Sequence, residues 1–132
     1  MDARVKKWSV VICDDHKGFR SVLSIALSLE PDLEVVGEAG NGREAIRIVS
    51  ELRPAIAILD IAMPEMDGLE ALPLILETAP MTQVVILTGF ASPDLRRRAL
   101  EAGACMFLEK GTDVPALVDQ IKGLCLRGAA PN

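Results

Sequence analysis

AIAILDIAMPEMDGLEAL, residues 55–72, contains the change from strand to loop to helix on which the fold assignment depends. Its first five residues, Ala55–Leu59, form an apolar run typical of a strand that is buried on both faces. Asp60 ends that run, and Asp67 has the position of an N-cap for a helix over 68–78. A buried strand followed by a capped helix is the repeating unit of a parallel α/β sheet.

The same unit occurs five times along the chain. Four further apolar runs predict strands at Trp8–Cys13, Leu33–Glu38, Gln83–Leu87 and Ala104–Leu108. Apolar residues at helical spacing predict the remaining helices over 16–29, 42–52, 93–102 and 114–126. Five βα units predict an α/β fold, in which a doubly wound, five-stranded parallel sheet is covered by helices on both faces.

Local signals support the ends of these helices, with one conflict. Asn41 and Ser92 are predicted N-caps, Pro93 suits the first helical position, and Gly103 is expected to end the fourth helix. Pro73 lies inside the predicted third helix, where it is expected to remove one hydrogen bond and to bend the helix.

The composition excludes several classes of function. The chain has 132 residues, enough for one domain, and half of them are hydrophobic, which excludes general disorder. Only 3% are aromatic and the net charge is −5, which argues against a surface that binds nucleic acid. No apolar run approaches the ~18 residues of a membrane-spanning helix. Cys13, Cys105 and Cys125 form no metal-binding pattern, and we expect them to be reduced and buried in a cytoplasmic protein.

Polar residues stand at the ends of four predicted strands. They are Asp14 and Asp15 after the first strand, Asp60 after the third, Thr88 after the fourth and Lys110 after the fifth. The carboxyl ends of parallel strands meet at one edge of a sheet, where ligands bind. Three carboxylates repel one another unless a cation lies between them, and a set of oxygen ligands alone favours Mg²⁺. A lysine and a hydroxyl at the same edge can receive an anion, so the set predicts phosphoryl transfer with Asp60 as the nucleophile.

Taken singly, these residues have ordinary structural explanations. Asp15 would serve as a helix cap, Thr88 as a loop residue and Lys110 as a solvated charge. Five such residues at successive strand ends are not explained in this way, and the functional interpretation is favoured. His16, the only histidine, is predicted to be a surface residue of the first helical turn rather than a catalyst.

Five segments occur in the order found in a known family. They are VVICDDHKGFR (10–20), VVGEAGNGREAI (35–46), AIAILDIAMPEMDGLEAL (55–72), VVILTG (84–89) and ALEAGACMFLEKG (99–111). Together they resemble the receiver domain of bacterial two-component response regulators, especially the receivers that precede LuxR- or NarL-type helix-turn-helix output domains. The resemblance covers about residues 8–126. It implies a flavodoxin-like (βα)5 fold with the strand order 2-1-3-4-5.

The resemblance also implies roles for the site residues. Asp60 would accept a phosphoryl group from a phosphohistidine on a sensor histidine kinase. Lys110 would pair with the phosphoryl oxygens, and Thr88 and Phe107 would form a switch pair that changes conformation. Mg²⁺ would be held by four groups, namely Asp60, Asp15 directly, Asp14 through water and the backbone carbonyl of Ala62. Phe107 stands where tyrosine is commoner in the family, and Gly111 where many receivers have proline.

A receiver domain implies partners. The whole chain, 1–132, is expected to be one receiver domain, with 127–132 as a tail or as the start of a linker to a DNA-binding output domain that this chain lacks. The domain would control transcription through that output and would contact neither nucleic acid nor membrane itself. A homodimer through the first and fifth helices is a further hypothesis, and simple burial of those helices against the sheet is its alternative. The apolar residues assigned to that dimer face are Ile25, Leu27, Leu29, Leu124 and Leu126.

Three other functions are compatible with parts of the sequence. The segment Gly40–Ala45, GNGREA, fits a dinucleotide-binding fingerprint, although it follows the second strand rather than the first. A flavin-binding protein of flavodoxin type would need a phosphate loop after the first strand, and the acidic DDHKG stands there. A pseudo-receiver that is never phosphorylated is the third alternative, and the complete set of acids, hydroxyl and lysine argues against it.

Overall fold

The computed structural model describes residues 7–111 and 113–126, and the side chains of these residues as far as Leu124. In chain order the elements are β1 (Trp8–Cys13), α1 (Lys17–Ser28), β2 (Leu33–Ala39), α2 (Gly42–Leu52), β3 (Ile56–Leu59), α3 (Gly68–Thr78), β4 (Gln83–Thr88), α4 (Pro93–Glu101), β5 (Met106–Glu109) and α5 (Val114–Leu126). All pairs of neighbouring strands are parallel, and the order in the sheet is β2-β1-β3-β4-β5. The predicted fold and strand order are confirmed.

The predicted helix caps are confirmed by their hydrogen bonds. The Asn41 side chain accepts a hydrogen bond from the Glu44 N–H at 2.8 Å, at the start of α2. Asp67 accepts one from the Glu70 N–H at 2.8 Å, and the Glu70 side chain bonds back to the Asp67 N–H, which completes a capping box. Ser92 caps α4 in the same way. Each cap pairs a backbone donor that the helix leaves free, which contributes about 1 kcal/mol.

Helix α3 continues through Pro73 without a break. Pro73 lies on the exposed side of the helix. A proline there removes the N–H that would bond to the carbonyl four residues earlier, and on an exposed face water can bond to that carbonyl instead. The proline is therefore tolerated inside the helix.

Alternate residues of the central strands pack on opposite faces of the sheet. Val10 and Ile12 belong to the core beneath α1 and α5, whereas Val11 and Cys13 belong to the core beneath α2, α3 and α4. All four residues of β3 are buried. Burial on both faces explains why the strands are continuous apolar runs rather than alternating ones.

Three expectations about burial need correction. Leu27 is fully buried, because it faces the sheet one turn after Leu23, so it is not part of a surface beyond the core stripe. Leu124 is also buried, which favours burial against the sheet for that position. Cys105 is exposed, because β5 begins one residue after it rather than at Ala104. The side chains of Cys125 and Leu126 lie outside the described part of the chain.

The burial of side chains on α1 predicts different losses of unfolding free energy for alanine substitutions at two positions. Leu27→Ala is expected to lower the free energy of unfolding by about 2–5 kcal/mol, because it removes a fully buried side chain from the core. Ile25→Ala, at a position that is 64% exposed, is expected to change it by less than about 0.5 kcal/mol. Urea unfolding followed by circular dichroism measures both. Equal losses for the two variants would contradict the assigned orientation of α1.

Candidate functional site

Backbone hydrogen bonds join the carboxyl ends of the strands and bring the predicted site residues to one edge. The Asp60 N–H donates to the Cys13 carbonyl at 2.9 Å, which links the end of β3 to that of β1. The Asp14 N–H donates to the Ala39 carbonyl at the end of β2 at 2.9 Å. The Lys110 N–H donates to the Thr88 carbonyl, also at 2.9 Å. The positions of the side chains therefore follow from the pairing of parallel strands.

Lys110 reaches across this edge and contacts two buried carboxylates. Its Nζ lies 2.6 Å from Asp14 Oδ2 and 3.1 Å from Asp60 Oδ2. Both aspartate side chains are 3% exposed, and the lysine side chain is 17% exposed. Phe19 covers the ammonium from the α1 side, with its ring centroid 4.6 Å from Nζ. The lysine is thus fixed from three directions.

The electrostatics of the pair follow from burial and proximity. Burial raises the pKa of Asp60, and the neighbouring Asp14 charge raises it further, while the hydrogen bond from Lys110 opposes the shift without cancelling it. Burial by itself would lower the pKa of Lys110, but the hydrogen bonds to the two aspartates outweigh it, so the pKa of Lys110 is raised. Lys110 is accordingly charged at neutral pH and compensates one of the buried negative charges.

Asp15 and His16 complete an acidic cluster at the mouth of the site. Ligand atoms of Asp14, Asp15, His16 and Asp60 all lie within 4.8 Å of one another. The His16 side chain is 70% exposed, as predicted for a surface residue. Its ring, however, lies against both neighbouring aspartates, which the sequence did not indicate.

The residues of the predicted switch pair are both buried. Thr88 is 1% exposed, and its Oγ1 accepts a hydrogen bond from the Phe90 N–H at 3.2 Å. The Phe107 ring packs in the core on the side of α2, α3 and α4. A cleft of about 340 Å³ lies beside Phe107, between β5 and the start of α4. Arg96 of α4 donates to the Phe107 carbonyl at 3.3 Å on the rim of this cleft.

The loop after β3 holds Ala62 next to the buried aspartate. The Ala62 N–H donates to Asp60 Oδ1 at 3.4 Å, and Ala62 is exposed. The start of α3 packs directly on this loop, because a Cβ at Gly68 would lie 2.1 Å from the Asp60 carbonyl oxygen. A glycine is therefore required at position 68 for the loop to adopt this path.

Arg20 is a site residue that the sequence analysis missed. Its guanidinium donates to the Asp14 carbonyl at 2.6 Å and to Glu38 Oε1 at 2.9 Å. It therefore ties the acidic loop after β1 to the end of β2. The spacing of Arg20 from Asp14 places both near the start of α1, but it does not show which groups the arginine side chain reaches.

Cys13 is the last residue of β1 and adjoins Asp14 in the chain. Burial raises the pKa of the Cys13 thiol to about 12, and the neighbouring Asp14 charge adds to the shift. The thiol is therefore neutral at physiological pH.

The glycine-rich segment after β2 serves packing and capping. A Cβ at Gly42 would lie 2.2 Å from the Met66 carbonyl oxygen, so a glycine is needed for α2 to approach the loop after β3. The Gly40 N–H donates to Glu44 Oε1, and the Glu44 N–H donates to Asn41. Donors that would bind a pyrophosphate are already paired with side chains, which does not favour a dinucleotide site.

An acidic cluster at the carboxyl edge of a five-stranded, doubly wound sheet defines the class of protein, a flavodoxin-like α/β domain. The profile of the response regulator receiver domain matches residues 10–122. This chain belongs to that family, the receiver domains of two-component signalling systems. Among the described residues, no helix is long and apolar enough to cross a membrane.

Curated relatives of the chain are named as transcriptional or response regulators. The chain is 38% identical over 109 residues to the uncharacterised transcriptional regulatory protein YhcZ of Bacillus subtilis (strain 168), covering 83% of this chain and 51% of that protein. It is 37% identical over 113 residues to the response regulator VraR of Staphylococcus aureus (strain Mu3 / ATCC 700698), and the match covers 86% of this chain and 54% of that protein. The chain thus spans about half the length of the curated relatives it matches.

Solved structures agree with the fold and the family. The signal receiver domain assigned to the response regulator NarL of Mycobacterium tuberculosis superposes with a TM-score of 0.86 at 33% identity, covering 93% of this chain and 98% of that one. A LuxR-family response regulator of Aurantimonas sp. SI85-9A1 gives a TM-score of 0.87 at 27% identity, and the superposition covers 94% of this chain and 89% of that one.

The charge at Asp60 predicts a pH-dependent stability difference. In the absence of metal, Asp60→Asn is expected to raise the melting temperature near neutral pH by a few degrees, because the raised pKa of Asp60 means that its ionisation opposes folding. This penalty appears above the unperturbed aspartate pKa of about 3.9. The difference should therefore shrink toward zero as the pH falls to about 4.

Scanning calorimetry in EDTA across this pH range measures the effect. Asp119→Asn, which changes an exposed aspartate on α5, is the matched control and should leave the melting temperature unchanged. Identical melting curves for wild type and Asp60→Asn at every pH would contradict the assignment of a buried, destabilising charge.

Proposed function

We propose that this chain is a phosphoacceptor, in which Asp60 receives a phosphoryl group from a phosphohistidine on a sensor histidine kinase. The observation that carries the proposal is the Lys110 ammonium, which lies 3.1 Å from a buried Asp60 carboxylate that shares its pocket with Asp14. A buried carboxylate next to a cation and two further acids is suited to receive an anion with a divalent metal. Burial of these charges is costly, which favours a functional explanation for the arrangement.

The donor set fits a magnesium ion. Asp14, Asp15 and Asp60 offer carboxylate oxygens within 4.8 Å of one another, and Lys110 compensates only one of the three charges. These three side chains would hold Mg²⁺, with the backbone carbonyl of Ala62 as a fourth ligand. When bound, the ion would neutralise charge on the phosphoryl oxygens.

The proposed step exchanges one bond to phosphorus for another. A carboxylate oxygen of Asp60 forms a bond to phosphorus as the phosphorus–nitrogen bond of the phosphohistidine breaks, and the electron pair of that bond leaves with the imidazole. Lys110 would exchange its contact with Asp60 Oδ2 for one with a phosphoryl oxygen. The Ala62 N–H on Asp60 Oδ1 helps to hold the carboxylate in position meanwhile. Thr88 and Phe107 would follow as the switch pair.

Phosphoryl uptake from a small donor tests the proposal. Incubation with Mg²⁺ and acetyl phosphate is expected to raise the intact mass by one phosphoryl group, and Asp60→Asn should abolish the increase. Asp67→Asn is the matched control, because Asp67 is an aspartate of the same segment that only caps α3, so it should still be phosphorylated. No increase in the wild-type mass would overturn the proposal and favour a pseudo-receiver.

The surroundings of Asp60 support a slowly hydrolysed phosphoryl group. Hydrolysis needs a water in line with the phosphorus–oxygen bond, and neither Ala62 nor Phe90 can hydrogen-bond to such a water through its side chain. Phe90 is 76% exposed, so its ring is not taken up by packing on α4.

A double substitution is expected to shorten the lifetime of the phosphorylated state. Replacing Ala62 with Asn and Phe90 with Glu supplies two groups that can orient water, so dephosphorylation should become several-fold faster. Loss of the phosphoryl group is followed by intact mass after the donor is removed. Equal decay in the double variant and the wild type would contradict the role of these two positions.

The proposed partners are a sensor kinase and an output domain. We infer control of transcription, because the curated relatives include transcriptional regulatory proteins about twice as long as the matched segment. In this proposal residues 127–132 are a tail or the start of a linker to a DNA-binding helix-turn-helix domain, and the receiver itself binds neither DNA nor membrane. A cytoplasmic location is part of the proposal and is supported by membership of the receiver family.

The exposed face of α1 supports a homodimer. Val22, Ile25 and Leu29 are 53%, 64% and 77% exposed and lie on one side of the helix. Leu29 also lines a cleft of about 210 Å³ with Pro115 and Val118 of α5. An apolar strip that continues onto a second helix suits contact with another copy of the chain.

Charge on this strip is expected to prevent dimer formation. Ile25→Glu with Leu29→Glu should leave the phosphorylated protein monomeric in sedimentation velocity, whereas the wild type should form a dimer on phosphorylation. Val36→Glu is a matched control at an exposed apolar position on β2. A phosphorylated wild type that stays monomeric would contradict the dimer, as would a double variant that dimerises equally well.

A further inference from the structure

Neither helix capping nor core packing explains the position of the His16 imidazole. His16 is the N-cap residue of α1, yet its side chain makes no capping hydrogen bond. Its side chain is 70% exposed, so it does not fill the core. Nδ1 instead lies 3.1 Å from Asp15 Oδ1 and 3.4 Å from Asp14 Oδ1. The ring therefore lies against the acidic cluster with most of its surface exposed, and it does not cap the helix.

A backbone hydrogen bond also holds His16 next to Asp14. The His16 N–H donates to Asp14 Oδ1 at 2.8 Å, so the residue is tied to the same carboxylate that its ring approaches. An open cleft of about 460 Å³, lined in part by His16 and Lys110, leaves the ring free to adjust. An exposed side chain can change rotamer and turn Nδ1 toward an ion between the carboxylates.

We propose that His16 is a further metal ligand, whose Nδ1 joins the carboxylates of Asp14, Asp15 and Asp60 around one divalent cation. This inference rests on the metal site of the proposed function. The ligand atoms of all four residues lie within 4.8 Å of one another, which is compact enough for a single ion after a small contraction. Lys110 approaches the carboxylates from the side of β5 and does not occupy the position of the ring.

The nitrogen ligand changes which metals the site prefers. A site with oxygen ligands alone suits Mg²⁺, whereas an imidazole ligand favours ions such as Ni²⁺ and Zn²⁺. His16 thus determines metal specificity: it adds little to Mg²⁺ binding and much to the binding of imidazole-preferring ions. The site would accept Ni²⁺ at concentrations well below those needed for Mg²⁺.

Calorimetric titration of the untagged chain with Mg²⁺ and with Ni²⁺ tests the specificity. His16→Gln is expected to weaken Ni²⁺ binding by about tenfold or more while changing Mg²⁺ binding by less than about twofold. Asp15→Asn should weaken both, because it removes a carboxylate that both ions use. Ni²⁺ binding that is equal in wild type and His16→Gln would overturn the proposal, as would Ni²⁺ binding that depends on His16 but not on Asp15.

A spectroscopic test uses the fact that the chain has one histidine. Paramagnetic Ni²⁺ bound to the ring should move the His16 ring-proton resonances far outside their normal range in the wild type. The same addition to Asp15→Asn, at a sub-stoichiometric concentration, should leave them in place. Ring protons that stay unshifted in the wild type with bound Ni²⁺ would overturn the assignment.

Both measurements are made without a phosphoryl donor, so their outcome does not depend on phosphoryl uptake. If the wild type takes up no phosphoryl group but its Ni²⁺ binding depends on His16, the phosphoacceptor proposal fails and the metal ligand stands. If phosphoryl uptake with Mg²⁺ is normal and Ni²⁺ binding ignores His16, only the inference about His16 fails.

Discussion

The contact of one lysine with two buried carboxylates is the constraint on which the site depends. Asp14 and Asp60 approach each other in a nearly dry environment, where two like charges are strongly unfavourable unless a cation lies between them. Lys110 supplies that cation from β5, while the acids follow β1 and β3. The contact therefore crosses β4, and it exists only because the sheet has the order β2-β1-β3-β4-β5.

The same contact connects the acidic cluster to the opposite side of the domain. Lys110 directly follows β5, and Phe107 lies three residues earlier on that strand. The Phe107 carbonyl accepts a hydrogen bond from Arg96 of α4. An anion that draws Lys110 away from the carboxylates would thus act on β5 and, through the hydrogen bond from Arg96 to the Phe107 carbonyl, on α4. The geometry provides a short mechanical route from the site to the surface around α4.

The sequence predicts the features that depend on order along the chain and misses those that depend on side-chain direction. Asp60 and Lys110 are predictable site residues, because buried parallel strands have recognisable ends that meet at one edge. Arg20 could not be predicted as a site residue, because its hydrogen bonds to Glu38 of β2 and to the Asp14 carbonyl depend on a side-chain rotamer that sequence spacing does not determine. Leu27 is misassigned because α1 has more apolar positions than one face can bury, and packing against the sheet selects among them. Cys105 is misassigned because the apolar run begins before the strand does.

The raised pKa of the Cys13 thiol has a consequence for chemical selectivity. An aspartyl phosphate is an activated acyl group, and a thiolate is the protein nucleophile best able to attack it. Cys13 adjoins the acidic site in the chain, but burial and the neighbouring negative charge keep its sulfur protonated, with a pKa of about 12. The burial and the neighbouring negative charge thus keep the adjacent sulfur in its less nucleophilic, protonated form. If Asp60 is phosphorylated as proposed, the mixed anhydride would lie beside a protonated thiol rather than a thiolate, which disfavours thioester formation.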